Sequence, residues 1–430
     1  MASDSKLKNY ISGSEWGIPK RIYWCLSVII VFSLIWCILL YRNKFCITIC
    51  DYHVSEFLIN FQGGFVRRGL LGEILLRFCN LSGLSPSFVV YPICIISYLL
   101  VFIFLLRKFY QRGIFWWLAF SPLICGYAGC IVRKDFLLFV ILIASFHILR
   151  KGMSSLNIIG TTLLLGLGIF IHEAFIFYGV PVFGLMVLAN KKNRLLGIAC
   201  CCILAALFLV NCHYKGNSDI AAAIASSWSP YVSDAVNGAP RSSAVGAIGW
   251  DTATALKYHF LQNFNSPAFG AMTVYVRLIL YFLIYYFVTN APFILRTSQF
   301  SHAEEDRTNL SALFLLFSVC LSPMFICLSC DWIRIYQYII ISSLAVYLIF
   351  PKDEIYCLFP KKLMSGISSM NASICRCIVP TKWLMTVLLL TLTECPYYCV
   401  PELIVRTSII GEIMSAALYS ITYVLQTFGI

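Results

Sequence analysis

Long apolar runs separated by short polar stretches dominate the chain. A helix crossing about 30 Å of hydrocarbon needs roughly 20 mostly apolar residues. Runs of that kind lie near 22–42, 87–106, 114–131, 135–149, 156–172, 174–189, 194–211, 273–294, 309–329, 335–350 and 382–400. The tail 403–430 could hold a further span or an interfacial helix. The pattern predicts an all-α fold, a polytopic transmembrane helix bundle of about ten to twelve spans. Residues 1–21 form an N-terminal segment, and residues 22–430 form a single integral-membrane domain carrying a sizeable loop at 212–272 and a second at 351–381.

Lysines and arginines orient such a bundle, because short cytoplasmic loops collect them. With the N-terminus inside, Lys6, Lys8, Lys20, Arg21, Arg107, Lys108, Arg112, Arg150, Lys151, Lys191, Lys192, Arg194, Arg296, Arg307, Lys352, Lys361 and Lys362 all fall on the cytoplasmic side. The 351–381 loop is then cytoplasmic, and the 212–272 loop faces outward. The first twenty residues lack the compact apolar core and small-residue cleavage site of a signal peptide, so the first helix is expected to remain as an anchor.

Composition agrees with this class. Hydrophobic residues make up 60%, charged residues 12%, and the mean hydropathy is +0.84, values far from the soluble norm. The net charge of +13 accompanies no nucleic-acid-binding motif or basic stripe, so no nucleic-acid partner is expected. Twenty cysteines are scattered through the spans as small apolar residues and read as neither a disulfide framework nor a zinc site. Cys46 with Cys50, or Cys395 with Cys399, could oxidise on an outer face.

Four charged groups interrupt or adjoin the apolar runs, and the drawn topology puts all four on the outer side. Charge at membrane depth persists mainly where it pairs, lines a wet cavity or does chemistry. The first group lies in Phe61-Gln62-Gly63-Gly64-Phe65-Val66-Arg67-Arg68-Gly69-Leu70-Leu71-Gly72-Glu73. Its glycines permit bends and close approach, while Arg67 and Arg68 offer planar forks suited to phosphate or carboxylate. This is expected to be a re-entrant or interfacial segment gripping an anionic headgroup; a plain basic anchor would not need Glu73. The second group is Arg133, Lys134 and Asp135 at a helix start after the Gly126–Gly129 bend. Asp135 suits the helix dipole, and the two cations suit an anion site.

The third group, His172 and Glu173, fills a turn between two apolar spans. An acid beside an imidazole orients it and raises its basicity, as a general base requires. Ile176 and Phe177 stand where a zinc-protease helix would carry its second histidine, so no metal is expected here. The fourth group is Asp331 and Arg334, three residues apart around Trp332. The 212–272 loop adds Trp228, Tyr231, Arg241, Trp250, Asp251 and His259, an aromatic and nearly neutral set suited to carbohydrate.

With these features the chain resembles the O-antigen polymerases and related polytopic proteins of bacterial surface-polysaccharide biosynthesis. The resemblance is architectural: many spans, a sizeable outer loop between later spans, outward arginines and an aromatic, low-charge composition. It implies polymerisation of repeat units linked to polyprenyl pyrophosphate on the periplasmic face of the inner membrane. Under it Arg67, Arg68 and Arg133 hold the pyrophosphate, and His172, oriented by Glu173, deprotonates the acceptor hydroxyl. Asp331 and Arg334 orient that pair or a second phosphate. Glu73, Lys134, Asp135, Arg241 and Trp250 complete the substrate contacts. No cofactor is required; the partners implied are the lipid-linked glycan, membrane lipid and a chain-length regulator protein. Two rivals stand beside it. A glycosyltransferase using polyprenyl-phosphate sugars would place an acid, Asp51 or Glu56, in the first outer loop. A flippase or transporter would line a path open to both faces with its charges.

Overall fold

The computed structural model describes residues 47–50, 52–112, 133–241, 243–264, 302–329 and 332–377, and these contain helices, turns and no strand. The predicted spans at 22–42, 114–131, 273–294 and 382–400, the tail 403–430, and the Gly126–Gly129 bend lie outside the described residues, as do Cys46, Asp51, Asp331, Cys395 and Cys399. Among the described residues, two helices are long and apolar enough to cross a membrane, Ser87–Phe109 and Arg194–His213. Three apolar helices, Ser155–Ile171, Phe175–Ala189 and Arg334–Ile349, are shorter.

Packing divides the described residues into two compact units, one within Met1–Gly113, Ala128–Lys257 and Leu348–Phe350, the other within Ile114–Tyr127, Tyr258–Tyr347 and Pro351–Ile430. The first contains α1 (Gly69–Ser82), α2 (Ser87–Arg112), α3 (Asp135–Arg150), α4 (Ser155–Ile171), α5 (Phe175–Ala189), α6 (Arg194–His213) and α7 (Ser218–Ser227), and the start of α8 (Thr252–Phe264). Helix α4 is central, packed against α1, α3, α5 and α6. Its composition explains this. Thr161, Gly166 and Gly168 are small and buried, and a side chain at Gly166 would press on Leu204 and Leu207 of α6. Ser154 caps its start by accepting the Asn157 N–H, and extended His172 ends it.

Ahead of α1, one helical turn (Tyr52–Ser55) leads into a 3-10 turn (Glu56–Leu58). Helix α1 lies so close to this segment that a Cβ on Gly72 would collide with the Ile59 carbonyl. The 212–272 segment docks on the same turn. Fully buried Trp228 donates its indole N–H to the Leu58 carbonyl at 2.6 Å, Asn60 donates to Ser227 Oγ at 2.8 Å, and Ala244 N–H donates to Ser55 Oγ at 3.0 Å. Asp234 accepts the N–H groups of Ile49 and Cys50. The loop expected to offer its aromatic residues to carbohydrate therefore spends Trp228 on internal structure.

The second unit contains α9 (His302–Cys320), most of α10 (Trp332–Ile349), α11 (Lys352–Cys357) and α12 (Lys361–Cys377). Met364 and Ile367 of α12 pack on Ala312 of α9. Lys352 pairs with buried Asp306 at 2.6 Å, and Asn371 bonds Ser311. The segment 351–381, read as a loop, is thus largely helical over its described part.

Candidate functional site

The site is built where α1 begins and α4 ends. Arg68 precedes α1 with φ 65° and ψ 2°, and it is the one non-glycine residue in the left-handed region among the described residues. That conformation is uncommon for a side-chain-bearing residue and persists where surrounding contacts hold it. Three contacts do so. Its Nε donates to Glu173 Oε2 at 2.8 Å, its Nη2 donates to Glu173 Oε1 at 2.5 Å, and its carbonyl accepts the Lys134 ammonium at 3.1 Å. Lys134 has 0% exposure and also lies over the Phe57 ring, 5.9 Å from its centre.

Glu173 also faces Arg67, whose Nη1 lies 3.5 Å from Oε1. Burial alone would raise the Glu173 carboxyl, but the charges of Arg68, His172 and Arg67 and the Arg68 hydrogen bonds hold it well below the usual carboxylate range. Of the two arginines, Arg67 is the more open, with 29% of its side chain exposed against 19% for Arg68. Arg68 grips Glu173 with two guanidinium nitrogens, whereas Arg67 reaches the same carboxylate through Nη1 at 3.5 Å.

His172 is 3% exposed. The Ala174 N–H donates to its Nδ1 at 3.2 Å, which makes Nδ1 the acceptor and leaves the ring proton of the neutral imidazole on Nε2. Nε2 faces the Glu56 carboxylate at 4.0 Å, while Nδ1 lies 3.8 Å from Glu173. Glu56, 1% exposed, also stands 3.7 Å from Arg68 Nη1. The imidazole is thus set between two carboxylates, and a backbone amide, rather than Glu173, fixes its ring.

Three segments distant in sequence therefore meet around one turn: 56–68, 133–135 and 172–173. Arg133 and Asp135 flank Lys134 and are buried; Asp135 opens α3. Glu73 serves elsewhere. Its carboxylate accepts the Phe61 N–H at 3.2 Å, Gln62 Nε2 at 3.1 Å and Arg77 Nε at 2.8 Å, closing the turn before the arginines. Arg241 is exposed beyond Pro240 and makes no ion pair among the described residues, and Trp250 is half-buried after the Gly246–Gly249 turn. Arg334 belongs to the second unit, where its guanidinium lies over the Tyr338 ring at 5.7 Å.

Glu56 is the member that the charge pattern did not tie to the others. The signal available was an acid within the apolar run Val54-Ser55-Glu56-Phe57-Leu58-Ile59, a place where an ionisable group needs a partner. Among the described residues no group of three His, Cys, Asp or Glu side chains is arranged to hold a metal ion. What the residues present is a part-exposed guanidinium on Arg67 and a buried Glu56 carboxylate facing the His172 imidazole. Comparison of the chain with known protein families, with curated proteins and with solved structures returns no match.

Proposed function

We propose that the chain is a polytopic membrane enzyme that polymerises glycan repeat units carried on polyprenyl pyrophosphate, at the periplasmic face of a bacterial inner membrane. The observation that carries this reading is the joining of Arg67, Arg68, Lys134, Glu56, His172 and Glu173 around one turn. In charge the set is three cations against two carboxylates, which suits a pyrophosphate. Arg67 receives the leaving group, while Arg68 and Lys134 hold the frame and add positive potential, a preorganised field of the kind that stabilises developing charge. The acceptor hydroxyl attacks the anomeric carbon and the bond from that carbon to the pyrophosphate oxygen breaks. The hydroxyl proton passes to the Glu56 carboxylate, which the Nε2 side of His172 faces, and the pyrophosphate leaves with the bonding electrons. The lipid-linked glycan and surrounding lipid are the partners, together with a chain-length regulator protein.

A second reading is favoured by Glu56 itself. An acid in the first outer segment, facing both Arg68 and His172, is the arrangement expected of a glycosyltransferase that draws single sugars from a polyprenyl phosphate. Mass spectrometry of polyprenyl-linked glycans from cells lacking the gene separates the two. Complete single repeat units accumulate if polymerisation is lost, and truncated units accumulate if one sugar addition is lost. An unchanged lipid-linked pool would overturn both.

A further inference from the structure

Helix α4 carries Leu156, Ile159, Leu163 and Leu167 exposed on one face, spaced three and four residues apart as a single stripe requires. The opposite face, with Ile158, Thr161, Leu165 and Ile169, is buried. The stripe ends at Phe170, three residues before Glu173. There the Phe65 ring meets Phe170 edge-on at 6.5 Å and Tyr214 edge-on at 5.1 Å, and stacks on Phe61 at 5.2 Å. Phe65 remains 39% exposed and Tyr214 46%. The Arg67 N–H donates to the Tyr214 carbonyl at 2.8 Å, so the aromatic group and the open arginine are tied through the backbone.

We propose that Phe65, Phe170 and Tyr214 seat the first isoprene units of a polyprenyl phosphate, with its phosphate on Arg67 and its tail running down the α4 stripe. The inference rests on the glycosyl-transfer reading and adds where the carrier chain leaves the site. Continuity decides the occupant: an apolar stripe leads without interruption to aromatic rings, and the rings lead to a cation.

The test uses the full-length protein in phosphatidylcholine nanodiscs containing a trace of photoreactive polyprenyl monophosphate, with crosslinks mapped by peptide mass spectrometry. Capture is expected on the peptides holding Phe65, Phe170 and Tyr214, competed by unlabelled polyprenyl phosphate and not by the same amount of phosphatidic acid. Phe65→Ala and Tyr214→Ala should each weaken capture about tenfold, close to 1.4 kcal/mol. Tyr214→Ala keeps the backbone bond to Arg67, so it retains the local fold. Equal competition by phosphatidic acid would mean an ordinary lipid-facing belt and would overturn the seat. So would full capture by both variants, or none by the wild-type protein. The transferase reading would still be decided separately, by the lipid-linked glycan pool.

Discussion

Arg68 and Glu173, 105 residues apart in sequence, form a two-point ion pair, with Nε to Oε2 at 2.8 Å and Nη2 to Oε1 at 2.5 Å. The pair fastens the left-handed residue that starts α1 to the turn that ends α4, and so fixes the neighbourhood of Arg67, Glu56 and His172. Two arginines adjacent in sequence thereby stand differently: Arg68 holds the frame, and Arg67 is the more exposed, the one to which the proposed function gives the ligand.

Removing one partner of a fully buried pair costs about 3–5 kcal/mol; Arg68 and Glu173 are part-buried and each keeps a second charge partner, so the cost lies below that range. Arg68→Ala and Glu173→Ala should each lower thermal stability in detergent and reduce membrane abundance. The double variant should lose clearly less than the sum of the two. Arg67→Ala should keep wild-type stability. A strictly additive double variant would show that the pair is not coupled.

The depressed Glu173 carboxyl makes stability depend on acid. Its folded pKa lies below the unfolded value of about 4.3, so its contribution is complete above that value and is lost as pH falls through the lower folded value. The melting temperature should therefore change little between about pH 7 and pH 5 on this account and fall below about pH 4. Glu173→Gln should start lower and show a shallower acid limb when both proteins are followed by differential scanning fluorimetry across pH.

Gly72 has no room for a side chain, since the Ile59 carbonyl occupies the position of a Cβ. Gly72→Ala should push α1 from the Glu56–Leu58 turn and cost about 1–3 kcal/mol as overpacking. A fall in abundance on membrane immunoblots is expected. Gly366, where an added Cβ meets nothing within 4 Å, supplies the control, and Gly366→Ala should be tolerated.

Trp228 pins its loop to Leu58 by one buried hydrogen bond. Trp228→Phe keeps most of the apolar body and leaves the Leu58 carbonyl without the indole donor, a loss of about 1–3 kcal/mol. Limited proteolysis should then cleave faster within 229–245 than in wild type. Unchanged cleavage would show that apolar packing alone holds the loop.

The helices were legible from run length. The apolar runs at 87–106, 135–149, 156–172, 174–189 and 194–211 lie on α2 to α6, because apolar runs of this length exceed an ordinary strand and suit a helix. Helix α1 was not legible as one, since glycines and arginines break its apolar pattern; its stability comes from packing on Ile59. The charged turns stood out because charge amid apolar sequence is costly. Their partners did not: a one-dimensional pattern cannot tell that Glu73 turns back to Phe61 and Arg77, or that Glu56 faces His172. Trp228 misled for the same reason, an aromatic in a loop being equally suited to a ligand or to a buried anchor.

The measurement that tests the central claim most directly is a gel profile of surface polysaccharide from cells lacking the gene, complemented with wild type, Arg67→Ala or Glu56→Gln, each checked for equal membrane abundance. The account requires long polymer with wild type and glycan stopped at one repeat unit with both variants. Long polymer restored by Arg67→Ala and Glu56→Gln would contradict it, because the cluster would then be architecture without chemistry.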